Sequence, residues 1–254
     1  MLRIATYNLY LGGTDRVEAI HSVLSSIDAD VIALTEADDR SVVEELANRL
    51  KMHFVWEHGS GDRHIATLSR FPILASNIYR TSPLTQAVLE TKVDVGKQTL
   101  TLYNAHFLPY LLLPFEVRRW QAAGKLLSII RSKPNEPHII LGDLNSIAPG
   151  DRPLQRNNPP RMRRVMLLQL RLIFRLALPR LLRAGYLDCF RSLHPRDDGF
   201  TWMTGNRTTR FDYILANPIM ARALRTCRVF DGHPALERAS DHYPLVAEFD
   251  LEQL

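Results

Sequence analysis

Apolar residues recur along this chain in two rhythms, and each rhythm breaks off at polar residues. Leu2 to Asn8 has strand character, and Gly12-Gly13 breaks it. From Asp15, positioned to cap a helix, Val17, Ile20, Val23, Leu24 and Ile27 fall at helical spacing. Val31-Ile32-Ala33-Leu34 is a short continuous apolar run of the kind that forms a buried strand, and it ends at Thr35-Glu36. A second amphipathic helix is predicted over Val42, Val43, Leu46, Ala47 and Leu50. Strands follow at Phe54-Trp56, Ile65-Ser69 and Ile73-Tyr79, then a hairpin-like pair, Ala87-Val95 and Gln98-Ala105, around Gly96-Lys97. The second of that pair runs into His106. A long helix is predicted from Phe115 to Ile130, then a strand over His138 to Leu141. Later strands are predicted near Phe200-Thr201-Trp202, at Phe211 to Leu215, and from Tyr243 to Phe249. Neither an internal repeat nor a low-complexity linker interrupts this order, so one domain is expected over residues 1–254.

The strand mouths carry the chemistry. His138-Ile139-Ile140-Leu141 empties into Gly142-Asp143-Leu144-Asn145-Ser146. Side chains two apart on a strand point the same way, so Asp143 and Asn145 can address one ligand if the extended geometry persists. A turn is the competing reading, since Gly, Asp, Asn and Ser all favour turns. Five other places repeat the design. Asn8, Glu36, His106, Asp143 and Asn145 lie near the C-terminal ends of apolar runs, whereas Asp212, Asp241 and His242 lie near the starts of theirs. Antiparallel neighbours bring one strand's end beside another's start, so a mixed sheet system can gather all eight on one rim. Taken singly, each has a plainer explanation. Asn8 could close a turn, Glu36 could sit at a helix entry, and His106 could be packed ahead of Pro109. Asp212 could merely begin a strand, and Asp241-His242 could be a loop.

As a set, they suit hydrolysis at phosphorus. Oxygen ligands such as Asn8, Glu36 and Asp241 match a hard cation, Mg²⁺ or Mn²⁺, better than zinc. Two histidines and the remaining carboxylates suit in-line attack of water, with one group activating it and another stabilising the oxyanion or leaving group. A neutral imidazole must be held in one tautomer, and Asp212 is the candidate carboxylate partner for His242.

Composition changes the picture in two places. With 254 residues and 46% hydrophobic content the chain can bury a large core. Two cysteines, Cys189 and Cys227, fit neither a disulfide scaffold nor a Cys-x-x-Cys metal site, which suggests a reducing, cytoplasmic setting. No signal peptide and no spanning helix are expected. The net charge of +5 is concentrated: nine arginines and no acidic residue lie between Arg152 and Leu187, which leaves the rest of the chain at −4. Over Pro159 to Tyr186 a helix is predicted, ended or kinked at Pro179. Arg161, Arg164, Arg171, Arg175 and Arg183 gather on one side, and Met162, Met166, Leu170, Ile173, Phe174 and Ala177 lie on much of the other. Such a helix can pack on the body with its arginines solvated, lie on an anionic membrane surface, or clamp nucleic-acid phosphates. Its Leu, Ile and Phe content favours lipid over nucleic acid. No partner protein is indicated.

Tyr7-Asn8, Leu34-Thr35-Glu36, Asn104-Ala105-His106, Gly142-Asp143-Leu144-Asn145, Phe211-Asp212-Tyr213 and Ser240-Asp241-His242 together resemble the endonuclease/exonuclease/phosphatase superfamily. That group includes deoxyribonuclease I, abasic-site endonucleases, neutral sphingomyelinases and inositol-polyphosphate phosphatases. Leu68 to Ile73 and Phe200 to Trp202 are further likenesses, so the resemblance covers nearly the whole chain. It implies an α/β fold, a four-layer α/β sandwich of two mixed β-sheets packed face to face and flanked by helices. It also implies Glu36 as principal metal ligand with Asn8 beside it and Asp241 near the metal. Asp143 would orient or deprotonate the attacking water, and Asn145 would contact the scissile phosphate. His242, oriented by Asp212, would stabilise that phosphate. His106 resembles the first histidine of the deoxyribonuclease and sphingomyelinase branches, where abasic-site endonucleases typically carry tyrosine. The expectation is a Mg²⁺- or Mn²⁺-dependent phosphoesterase without a covalent intermediate. Its lead substrate is a phospholipid or phosphoinositide head group; the alternative is a deoxyribonuclease-like nuclease, and the least favoured is a silent phosphate-binding module. The arginine-rich stretch at about 151–186 is expected as a helical insertion.

Overall fold

The fold comes from a computed structural model that describes residues 1–84, 86–96, 98–131, 136–168 and 172–253. In chain order the strands are β1 (Leu2–Asn8), β2 (Val31–Thr35), β3 (His53–Glu57), β4 (Ile65–Ser69), β5 (Ile73–Tyr79) and β6 (Ala87–Asp94). They continue as β7 (Thr99–His106), β8 (His138–Asp143), β9 (Leu187–Asp188), β10 (Asp212–Ala216), β11 (Leu224–Val229) and β12 (Leu245–Phe249). Helices α1 (Val17–Ile27), α2 (Arg40–Leu50) and α3 (Leu113–Ile130) are followed by α4 (Pro160–Leu168) and α5 (Ala177–Arg183). Shorter helical turns follow at Cys189–Leu193, Pro218–Ala223 and Leu236–Ala239. Among the described residues, no helix is long and apolar enough to cross a membrane.

Six strands form each of two sheets, in the orders β11-β12-β1-β2-β4-β3 and β5-β6-β7-β8-β10-β9. The two are built alike. Each has one parallel pair at its centre, β1/β2 or β7/β8, and antiparallel strands outside it. Parallel neighbours need a crossover, and α1 and α3 supply it. Alternation then sorts the side chains into layers. Leu2, Ile4, Val31, Ala33, Leu102, Ile139, Leu141, Ile214 and Ala247 meet in one cluster between the sheets. The intervening residues Ala5, Tyr7, Ile32 and Leu34 pack outward on α1 and α2. Tyr103, Ala105, Ile140, Tyr213 and Leu215 do the same against α3 and α5. The expected four-layer α/β sandwich of two mixed sheets is the observed one. Each buried Leu or Ile contributes about 1.5–3 kcal/mol, so these apolar rows fix the register.

The inner rows change character toward one end. Along β1 the order is Leu2, Ile4, Thr6, Asn8; along β7 it is Leu100, Leu102, Asn104, His106; along β8 it is Ile139, Leu141, Asp143. Apolar pairs hold the sheets together at one end, and buried polar groups replace them at the other. Asn104 joins the layers there, its amide donating across to the carbonyls of Leu34 (3.0 Å) and Ala66 (2.8 Å).

Three local expectations need correction. Asp15 does not cap α1: a 3-10 turn over Leu11–Arg16 precedes the helix, and its cap position is Arg16 with no side-chain bond. Phe200-Thr201-Trp202 is not a regular strand, since Trp202 makes only isolated bridges to Thr209 and His242. The arginine-rich stretch is two helices, α4 and α5, and residues 172–176 between them belong to neither a helix nor a strand. Pro179 neither ends nor kinks a helix. It lies in the first turn of α5, where its missing N–H would have no partner in any case. Lys97, Gln169, Leu170 and Arg171 lie outside the described residues.

Candidate active site

The polar ends of the inner rows converge. Strands β8 and β10 are antiparallel with Asp143 directly opposite Asp212, and both carboxylates are buried. Like charges in cross-strand positions repel, so this pair needs a reason. His242 supplies part of it: its Nδ1 lies 2.7 Å from Asp212 Oδ2 and its Nε2 3.8 Å from Asp143 Oδ2. His106 Nε2 lies 3.9 Å from the same Asp143 oxygen. The Asn8 amide donates to Asp143 Oδ2 at 3.0 Å and to Glu36 Oε1 at 3.3 Å, so Glu36 joins through Asn8. Asp241 Oδ1 stands 4.0 Å from His242 Nε2. The Asn145 amide N–H donates to Asp143 Oδ1 at 2.9 Å, while its side-chain amide is held by the Phe107 carbonyl at 3.1 Å. All eight residues picked from the sequence therefore belong to one contact network centred on Asp143.

Local backbone makes this possible. Gly142 has φ +126°, and a Cβ there would stand 2.1 Å from the Ala105 carbonyl oxygen. Only glycine lets β8 approach β7 closely enough to set Asp143 near His106. Asn145 (φ 46°) and Glu36 (φ 48°) adopt left-handed backbone. Asn tolerates this by its short polar side chain. Glutamate has no such excuse, and its strain is offset by the Leu11 N–H on Oε2 at 3.0 Å. Ser240 ties the last motif to the first: its hydroxyl donates to the Asn8 carbonyl (2.6 Å) and accepts from the His242 N–H (3.1 Å).

Electrostatics divides the two histidines. Burial alone would strip the proton from His242, but Asp212, Asp143 and Asp241 outweigh it and push its pKa up to about 10. These carboxylates favour the protonated imidazole at His242, so the neutral imidazole of the pair lies elsewhere. That role falls to His106, where burial dominates and brings the pKa down to about 4. Burial also dominates at Asp143, and with the facing Asp212 it pushes this carboxyl up to about 8. At Glu36 burial works the other way from His106, Leu11 N–H, Arg63 and Asn8, and these together hold it below the usual carboxylate range.

Several buried polar atoms have no partner: His106 Nδ1, Asp212 Oδ1 and Asp241 Oδ1. Unpaired buried acceptors beside a carboxylate excess are what a bound cation would relieve. Ligand atoms of Asp143, Asp212 and His242 lie within 4.8 Å of one another. The Asp212–His242 contact is itself a hydrogen bond, however, so those two are engaged with each other. Glu36 and Asp241 offer oxygen to a hard ion, while the Asn8 side-chain oxygen accepts from the Tyr10 N–H at 2.8 Å. They do not form a closed cage by themselves, because Asp241 is reached through His242.

Sequence reasoning passed over two neighbours. Arg63 Nη1 lies 3.6 Å from Glu36 Oε2 and 2.7 Å from Asp38 Oδ2, and nothing in its polar loop marks it. Trp202 Nε1 donates to Asp241 Oδ2 at 3.0 Å. The Phe200-Thr201-Trp202 likeness pointed at this stretch without giving Trp202 a role. Asp188 caps the Cys189–Leu193 turn and pairs with Arg210.

Comparison with known proteins agrees with this geometry. The profile of the Endonuclease/Exonuclease/phosphatase family matches residues 5–242. Exodeoxyribonuclease III of Haemophilus influenzae is 26% identical over 262 residues, covering 92% of this chain and 95% of that protein. An AP endonuclease structure from Archaeoglobus fulgidus superposes with a TM-score of 0.75 at 21% identity, over 98% of this chain and 100% of that one. A variant of the 3′ phosphatase NExo from Neisseria, bound to product DNA hairpin, gives a TM-score of 0.75 at 22% identity over the same shares.

Proposed function

The chain belongs to the Endonuclease/Exonuclease/phosphatase family, and from that premise we propose a divalent-metal-dependent phosphoesterase that cleaves nucleic acid by direct attack of water. The observation that carries the proposal is the cluster around Asp143, where the carboxyl groups of Glu36, Asp143, Asp212 and Asp241 gather about His242 and His106. Exodeoxyribonuclease III, the AP endonuclease and the DNA-bound 3′ phosphatase favour nucleic acid over the phospholipid head group expected first. In this reading residues 1–254 form one catalytic domain, with the stretch at about 151–186 as an insertion.

Glu36, Asn8 and Asp241 would hold Mg²⁺ or Mn²⁺. The bound ion would act as a Lewis acid on a phosphate oxygen and offset the carboxylate excess. Asp143 takes the proton of the attacking water; burial and Asp212 make it a stronger base than an exposed aspartate. The imidazolium of His242, fixed through Nδ1 by Asp212, turns Nε2–H toward the centre and stabilises charge on the phosphate. Neutral His106 can accept or relay a proton beside it. Asn145 is held by Phe107 next to the same centre and positions the phosphate.

Oligonucleotide cleavage tests this directly, with an abasic-site duplex, a 3′-phosphate hairpin and a plain single strand, each with Mg²⁺ and with EDTA. Metal-dependent cleavage that disappears in Asp143→Asn and His242→Ala is expected. Hydrolysis of phospholipid vesicles with DNA untouched would instead favour the second reading, which His106 supports by its likeness to the two-histidine branches. Binding without turnover of any phosphate ester would leave a phosphate-binding module.

A further inference from the structure

Residues 107–131 and 152–186 hold 13 of the 32 basic residues and one of the 27 acidic ones. Their net charge is +12, which leaves the remainder of the chain at −7 against the total of +5. The single carboxylate, Glu116, is 1% exposed. It is engaged by Arg119 Nε (2.8 Å), the Ser146 hydroxyl (2.8 Å) and the N–H groups of Leu176 (2.7 Å) and Ala177 (2.9 Å). Its contacts also set α3 beside Leu176 and Ala177. In these two segments Tyr110, Leu113, Val117, Trp120, Leu172 and Leu176 are all exposed, from 36% at Val117 to 64% at Tyr110. Leu113, Val117 and Trp120 follow at intervals of four and three, one stripe of α3. The Arg180 guanidinium lies 4.2 Å over the Trp120 ring and donates to its carbonyl at 2.9 Å.

We infer that this face docks on an anionic phospholipid bilayer, with the α3 stripe in the interface and the surrounding arginines on lipid phosphates. An apolar stripe with an arginine over its tryptophan, in segments of net charge +12, is the composition of an interfacial surface, where Trp and Tyr sit at headgroup depth and arginines reach to phosphate. Nucleic-acid phosphates would match the arginines but give Leu113, Val117 and Leu176 nothing apolar to bury against. A second copy of the chain would set +12 against +12. The surface begins beside the candidate site, for Tyr110 is four residues beyond His106, and Arg119 holds the Leu108 and Tyr110 carbonyls at 2.7 Å each. Docking therefore sets the catalytic rim next to the membrane, whichever ester it hydrolyses.

Cosedimentation of the full chain with vesicles tests the inference without using activity. Vesicles of equal parts phosphatidylcholine and phosphatidylglycerol are expected to bind it, and pure phosphatidylcholine to bind it much more weakly. Leu113→Glu/Trp120→Glu should lower partitioning by about a hundredfold, on the scale of two buried apolar side chains. Arg161→Ser/Arg164→Ser should lower it by about tenfold or more, on the scale of two surface cations. Turnover of a chromogenic phosphodiester by these variants should stay at the wild-type level, which shows that they fold. No binding to the mixed vesicles, or equal binding by Leu113→Glu/Trp120→Glu, overturns the inference. So would loss of duplex DNA binding or of a dimer on that substitution, with the vesicles left unbound.

Discussion

Two charge clusters lie two residues apart where the chain enters β10, and they are opposites. At Arg210 the guanidinium donates to Asp151 (3.0 and 3.2 Å) and to Asp188 (2.8 and 2.7 Å), and Arg191 adds a bond to Asp151 at 2.8 Å. Two cations meet two carboxylates, and the Tyr213 ring closes one side at 4.5 Å. At Asp212 the balance fails. Asp143, Asp212, Glu36 and Asp241 gather about His242, with Arg63 only at the edge, and buried acceptors are left over. A satisfied cluster fixes the approach to β10; an unsatisfied one stores the deficit that a cation and substrate can relieve. Burial is therefore not what marks the site, since both clusters hold buried carboxyl groups. Imbalance is.

Substitutions break this contrast in opposite ways. The largest expected effect is on activity: Asp143→Asn should cost about 10²–10⁴-fold in kcat, the usual range for loss of a positioned acid or base. Steady-state kinetics on whichever ester the oligonucleotide panel identifies checks it. Arg210→Met should destabilise the fold by about 3–5 kcal/mol by leaving two buried aspartates unpaired. Urea unfolding measures this, and adding Asp151→Asn and Asp188→Asn should recover much of the loss. Divalent cation at about 100 times its Kd should stabilise the wild type by about 2.7 kcal/mol and leave Asp143→Asn less affected, as thermal unfolding would show.

The smallest effect has a definite sign. In metal-free protein Asp143 has a folded pKa of about 8 against an ordinary 3.8, and His242 about 10 against 6.5. Both groups bind protons more tightly when folded, so their contribution is complete below the ordinary values and is lost as pH rises through 8 and then 10. Stability without metal should accordingly fall as pH rises, between about 4 and 8 through Asp143 and between about 6.5 and 10 through His242. In Asp143→Asn the lower part of that fall should vanish. A decline that persists unchanged in this variant would mean the imbalance lies elsewhere.

Much of this was legible in the sequence because the signals are local. Helices α1, α2 and α3 and nearly every strand of the two sheets announce themselves by period, and Gly142 by the turn chemistry around it. Strand β11 did not, because Arg225, Thr226 and Arg228 interrupt its alternation on an edge, where one face needs no apolar row. The arginine-rich stretch misled for the opposite reason: a helical period continues across residues 172–176, but Arg175 turns to the Ala148 and Asp151 carbonyls (3.2 and 2.9 Å) and breaks the run. A long-range bond decided against a local preference.

By itself the sequence determined which residues face inward and where each apolar row gives way to a polar end, since a side chain's face follows from strand period alone. Its eight polar residues therefore come together at one end of the two sheets. Only the tertiary structure decided their charge states, because a histidine's proton depends on which carboxylates lie within a few ångströms through space. His242 and His106 look equivalent as letters; Asp212 beside one favours its protonated form, and burial without a close partner around the other favours its neutral form.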